Sequence, residues 1–180
     1  MPVKQPAPRD RWMTREEASA LLDACTTPHV RLFTLIALST GARAAAISDL
    51  TWDRVDLERG IIDFGPGHGN KRRSVVPIGG RALDELRDAW RVRTTGHVLE
   101  WGGRPAGNVK VAFGKAVTRA GLENVTPHIL RHTAATWMVM AGVDLEEVAR
   151  MLGATKDVVE RVYGKHSPDY LRKAAAALQL

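Results

Sequence analysis

Between Val55 and Ile78 the spacing of apolar residues changes period, and that change limits what this 180-residue chain can fold into. Val55-Asp56-Leu57 and Ile61-Ile62-Asp63-Phe64 flank the turn signal Glu58-Arg59-Gly60, and Ser74-Val75-Val76-Pro77-Ile78 supplies a third short β-type run. Between the last two, Gly65-Pro66-Gly67-His68-Gly69-Asn70 is almost pure turn chemistry. Three short runs joined by turns predict a small antiparallel sheet. Lys71, Arg72 and Arg73 fall at or just past the tip of its last hairpin. On both sides of this interval the pattern is helical, so the expected class is α+β: mostly α-helical with one small three-stranded antiparallel sheet.

The helical stretches carry their own punctuation. Thr14-Arg15-Glu16-Glu17 has capping-box spacing and predicts a helix to about Ala24, burying Ala18, Leu21, Leu22 and Cys25. A second helix is expected over Val30–Leu38, stopped by Thr40-Gly41, and a third over Ala42–Leu50. Further helices are expected over Arg81–Val92 and Asn108–Ala120. Thr126-Pro127 is the clearest start signal, an N-cap followed by proline at the first helical position. That helix should reach Met140, with Leu130, Ala134, Trp137 and Ala141 as its core stripe. Leu145–Leu152, Lys156–Tyr163 and an amphipathic Pro168–Leu178 complete the set, and no internal repeat is seen.

A net charge of +6 fits a polyanionic partner, although basicity alone names none. The charge is uneven: from Lys71 to Arg93 seven Lys or Arg face three Asp or Glu, which reads as a charged hairpin and helix face or as a phosphate-contacting edge. Cys25 stands alone, so neither a disulfide framework nor a cysteine metal site is available. No apolar run approaches the roughly 18 residues of a membrane span. Residues 1–10, with three prolines and three charges, lack the apolar middle of a signal peptide and read as a linker or tail. A cytoplasmic protein is expected, with one domain over residues 11–180.

Three local patterns could carry chemistry: Thr40-Gly41-Ala42-Arg43, His128-Ile129-Leu130-Arg131-His132, and Leu152-Gly153 followed by Tyr163-Gly164. Each has an ordinary explanation. Arg43 near a helix start is by default a solvated cation. His128 and Arg131, three apart on one helix face, would usually be rim residues. A tyrosine at a helix end is usually half-buried with a wet hydroxyl.

Taken together the patterns resemble the tyrosine recombinase, or phage integrase, family. Arg43 sits in the Thr-Gly-x-Arg turn that carries the family's first arginine, with Trp52 nine and Asp56 thirteen residues on, where the same types are common. His128, Arg131 and His132 reproduce its His-x-x-Arg-His box. Tyr163 lies eleven residues after Leu152 of the Leu-Gly pair, the spacing of the family's nucleophile. Lys71 is the best match to the lysine of the hairpin. Two positions depart from the pattern: Ala46 stands where an acidic residue usually follows the first arginine, and Ala154 where His or Trp usually follows Leu-Gly.

The resemblance implies a tyrosine recombinase catalytic-domain-like fold and a site-specific recombinase that cleaves and rejoins DNA through a covalent 3′-phosphotyrosyl intermediate. Arg43, Lys71, His128, Arg131 and Tyr163 would be catalytic, and Arg72, Arg73, His132 and His166 would contact DNA. It implies no cofactor and no metal. Its partners would be double-stranded DNA bearing a recombination site and further copies of the chain, a tetramer on DNA from a free monomer. The family's N-terminal DNA-gripping domain has no counterpart in ten tail residues.

The chemistry suits these types. Tyrosine conserves the phosphodiester bond energy in a covalent intermediate without ATP. Two guanidiniums match the non-bridging oxygens of a phosphoryl transition state. A lysine can protonate the departing 5′ oxygen, and a histidine can take or share the tyrosine proton. Asp49, Asp53 and Asp56 lie close in sequence but form no calcium-loop pattern and read as surface carboxylates. The competing readings are a catalytically impaired DNA-binding module of the same fold, favoured by Ala46 and Ala154, and a type IB topoisomerase.

Overall fold

The computed structural model describes residues 11–67, 74–167 and 175–176. Eight α-helices, a three-stranded sheet and a separate two-stranded hairpin succeed one another there. Helix α1 (Arg15–Asp23) begins with the anticipated capping box: the Glu17 amide donates to Thr14 Oγ1 while the Thr14 amide donates to Glu17 Oε2. Helix α2 (Pro28–Thr40) starts two residues earlier than its apolar run suggests, because Pro28 occupies the first turn, where a missing N–H costs nothing. Its buried face includes Val30, Phe33 and Ile36. Helix α3 (Ala44–Ser48) is shorter than expected, since Arg43 is extended and caps it from outside.

Strands β1 (Val55–Asp56), β2 (Ile61–Asp63) and β3 (Val75–Pro77) pair antiparallel in the order β1-β2-β3. Ile62 lies opposite Val76, and both point into the core, while their neighbours face outward as strand geometry requires. Pairing continues past β3 toward the hairpin, with the Phe64 amide donating to the Ser74 carbonyl. His68, Lys71, Arg72 and Arg73 lie outside the described residues.

Helix α4 (Gly80–Val92) packs on α2. The hairpin of β4 (Glu100–Trp101) and β5 (Arg104–Pro105), absent from the sequence reading, then turns on Gly102-Gly103. Helix α5 (Lys110–Arg119) leads to α6 (Pro127–Met140), the partner of α2 at the centre of the molecule. The α6 stripe is only partly as expected: Leu130 and Ala134 are buried, Trp137 is half-buried and Ala141 is exposed. Trp137 stays at the surface because its indole N–H donates to the Met13 carbonyl and its ring receives the Arg15 guanidinium, so it closes the core as a lid. Cys25 likewise is half-buried beyond the end of α1.

Helices α7 (Leu145–Leu152) and α8 (Lys156–Tyr163) form a small second core with α6, built from Ala135, Val139, Val148, Leu152, Val159 and the ring of Tyr163. A single 3-10 turn, Gly164–His166, follows, so Gly164 tightens the chain rather than simply ending α8. Apart from residues 175–176, the Pro168–Leu178 segment lies outside the described residues. No helix among the described residues is long and apolar enough to cross a membrane.

Gly41 is the point where α2, α6 and α7 meet. Its φ of +64° is left-handed, and a Cβ there would overlap the Leu152 side chain. Gly41→Ala should therefore lower stability by about 1–2 kcal/mol from the backbone alone, with more from displacing Leu152. Urea unfolding checks this; an unchanged midpoint would mean that the helix junction yields without strain.

Candidate active site

Arg131, on the first turns of α6, is only 8% exposed and is not a rim residue. Its Nη1 donates to two backbone carbonyls at 2.8 Å each, Gly41 at the end of α2 and Leu152 at the end of α7. Carbonyls at helix C-termini have no intrahelical partners and carry the negative end of the macrodipole, so a cation there satisfies both. Two N–H bonds of the guanidinium are thereby used. The Nε and Nη2 edge has no partner among the described residues and remains a planar fork suited to a phosphate.

Arg43 reaches the same junction from the start of α3. Its Nη2 lies 3.4 Å from the Gly153 carbonyl, the left-handed residue that caps α7. The two guanidiniums are close enough to feel each other: burial first, then the Arg43 charge, pulls the Arg131 pKa down to about 10. It stays cationic at neutral pH. Among the described residues Arg131 forms no ion pair, so positive charge is concentrated at this spot.

Tyr163 closes α8 beside them. It is buried, and burial raises its pKa, opposed by the nearby Arg131 charge. Its hydroxyl lies 2.8 Å from Nδ1 of His132. Sequence reasoning gave the tyrosine proton to His128 and placed His132 on DNA; the structure brings His132 to the hydroxyl. His128 stands one turn earlier on α6, its ring edge-on to His132 with centroids 4.4 Å apart. One side of His128 is open to solvent, yet partial burial, with Arg131 and Arg43 nearby, lowers its pKa. The i, i+4 spacing of the two histidines was the available signal, since such residues stack on one helix face.

The base of the β2–β3 hairpin is tied to the same place. Ser74 Oγ donates to the Met151 carbonyl at 3.0 Å, one residue before Leu152. Ser74, the first described residue after Lys71, therefore lies at the edge of this site. His166 sits half-buried in the 3-10 turn just after Tyr163. Ala46 is buried in the main core, and Ala154 packs at the margin of the second one. The backbone carbonyls of Gly41, Leu152 and Gly153 are the site elements that side-chain motifs did not announce. Among the described residues no three His, Cys, Asp or Glu side chains converge as a metal site.

The family model described as the phage integrase family matches residues 11–169, and this chain belongs to that family. Tyrosine recombinase XerA of Thermococcus kodakarensis is 33% identical over 189 aligned positions, covering 99% of this chain and 66% of the relative. The integrase of Salmonella phage P22 is 28% identical, covering 96% of this chain and 49% of the relative. The chain thus spans between half and two thirds of the length of these curated relatives. Among solved structures, the catalytic domain of bacteriophage HP1 integrase superposes with a TM-score of 0.72 at 27% identity, covering 92% of this chain and 93% of that one. The fold expected from the sequence, mostly helical with a three-stranded antiparallel sheet, is the fold of tyrosine recombinase catalytic domains.

Buried His29 and solvent-open His128 make acid stability a test of this geometry. Burial lowers the pKa of both His29 and His128, so the folded state favours their neutral rings. The unfolded chain then binds more protons once the pH drops below about 6.5, the ordinary histidine value. Stability is held in full above that value and lost as the pH falls toward the folded pKa values. The melting temperature should decline between about pH 7 and 5, and His29→Gln with His128→Gln should flatten the decline. A slope unchanged in the double variant would assign it to other groups.

Proposed function

We propose that residues 11–180 form the catalytic domain of a site-specific DNA recombinase, with residues 1–10 as a linker or tail, that cleaves and rejoins DNA through a 3′-phosphotyrosyl bond to Tyr163. The observation that carries this reading is the convergence of the Arg43 and Arg131 guanidiniums at one helix junction, with Tyr163 near enough to feel the Arg131 charge and its hydroxyl on His132. Membership of the phage integrase family and the names of its relatives support the same class of reaction.

In this reading Arg43 and the free edge of Arg131 grip the non-bridging oxygens of the scissile phosphate and neutralise charge as the transition state forms. The Tyr163 oxygen attacks phosphorus as the bond to the 5′ oxygen breaks. Lys71 delivers the proton that lets the 5′ oxygen leave, and His128 lies beside the clamp to help balance charge. Arg72, Arg73 and His166 complete the surface toward DNA. No metal, cofactor or ATP is required, because the phosphotyrosyl bond retains the energy needed for rejoining. The partner is double-stranded DNA with a recombination site, on which several copies, four in the family pattern, assemble from free monomers in the cytoplasm.

A catalytically impaired DNA-binding module remains the second reading. Ala154 favours it, since no side chain beyond a methyl group follows Leu152-Gly153 at the mouth of the clamp.

The decisive experiment uses nicked duplexes with a randomised central stretch, scored for covalent protein–DNA adduct on a denaturing gel. Wild type should select and trap a duplex, whereas Tyr163→Phe should bind it and give no adduct. Adduct from the phenylalanine variant removes Tyr163 from its role, and none from wild type favours the impaired module. The general acid has its own test. With the 5′ bridging oxygen replaced by sulfur, the leaving group needs no proton, so Lys71→Ala should cleave this substrate nearly as well as wild type and ordinary DNA poorly. An equal deficit on both would make Lys71 a phosphate contact.

A further inference from the structure

We propose that His132, rather than His128, is the base that takes the proton of Tyr163 as it attacks, through the contact between the tyrosine hydroxyl and Nδ1 of His132. The inference rests on the assignment of Tyr163 as nucleophile. Hydrogen-bond bookkeeping favours one direction for the contact. The Tyr163 hydroxyl has no other partner among the described residues, and it lies in a part-buried setting. If Nδ1 carried the hydrogen and donated it, the phenolic O–H would be left with no protein acceptor. Donation from the hydroxyl to an unprotonated Nδ1 leaves nothing unsatisfied. In this proposal the neutral ring of His132 holds its hydrogen on Nε2, with a lone pair aimed at the proton to be moved.

Position separates the two histidines. His132 lies 2.8 Å from the attacking oxygen, with its ring centroid 5.6 Å from that of the tyrosine. His128 meets the edge or face of the His132 ring and has no hydrogen bond to Tyr163 among the described residues. Its place is to fix the His132 ring from behind. A base is needed here because burial makes the phenolate costly before attack, so the proton must leave as the oxygen engages phosphorus. The step balances. The Tyr163 O–H bond breaks and its proton moves to Nδ1, the O–P bond forms, the bond from phosphorus to the 5′ oxygen breaks, and that oxygen leaves with a proton from the general acid. In the return step the imidazolium gives its proton back to the departing tyrosine oxygen.

Asparagine separates holding from proton transfer. Its side-chain oxygen can accept a hydrogen bond near the Nδ1 position, but it cannot take a proton at any working pH. With the duplex selected by wild type, His132→Asn and His132→Ala should both bind DNA and form adduct about 10²-fold or more slowly. Added imidazole should restore His132→Ala in part. His132→Asn within about threefold of wild type overturns the proposal, whereas adduct from Tyr163→Phe overturns the assignment of the nucleophile beneath it. A measurement on the full chain without DNA stands independently of turnover. Nitrogen-15 spectra of labelled histidine should show the neutral His132 ring protonated on Nε2, with Nδ1 perturbed in Tyr163→Phe. A hydrogen on Nδ1 would overturn the proposal directly.

Discussion

A buried cation held by backbone carbonyls, not by a carboxylate, is the constraint on which this domain is organised. Desolvating a guanidinium is expensive unless its donors are satisfied. Arg131 meets that requirement by drawing the ends of α2 and α7 onto a single nitrogen. Those two helices come from opposite ends of the sequence, and the bond that joins them also fixes where their capping turns lie. Gly41 and Gly153, both left-handed, let the chain turn away without shielding the carbonyls. The Arg43 turn and the start of the segment leading to Tyr163 are then set by the same junction.

Tyr163 depends on a different, smaller set of forces. Tyr163 belongs to the second core, where α6 and the two short helices α7 and α8 contribute mostly Ala, Val and Leu. Much of its ring is held by apolar contact, and its hydroxyl by one hydrogen bond to α6. The helix that supplies Arg131 therefore also supplies the group that orients the tyrosine. His128, Arg131 and His132 fall within two turns of α6, so their mutual distances are set by helix geometry and are insensitive to loop movement.

Much of this was legible in the sequence because local rules and tertiary structure agree. The capping box at Thr14, the Pro127 start and the change of period at Val55 each reported an element that forms. The three motifs named Arg43, Arg131 and Tyr163, which the structure brings together. What the residues did not reveal depended on partners distant in the chain. Trp137 reads as core by its spacing, but the strap at Met13 gives it a hydrogen bond at the surface. The β4–β5 hairpin has two-residue strands, too short for any periodicity to register. The family resemblance put His132 toward DNA; its contact with Tyr163 depends on where α8 is placed, which no local pattern shows. Backbone carbonyls leave no trace in a side-chain pattern at all.

The arrangement also explains how one arginine can serve the fold and a phosphate without conflict. Nη1 is directed inward at carbonyls, while the opposite edge of the plane is left for an anion, a division that the single ammonium of lysine cannot reproduce. Burial first, and the like charge of Arg43 second, lower the pKa of Arg131. An anion bound between the two guanidiniums would reverse the sign of that interaction. Three helix-terminal carbonyls offset part of the cost of burying Arg131, and a bound phosphodiester would offset more. In the proposed reading, affinity for phosphate at this point would follow from the same bonds that close the fold.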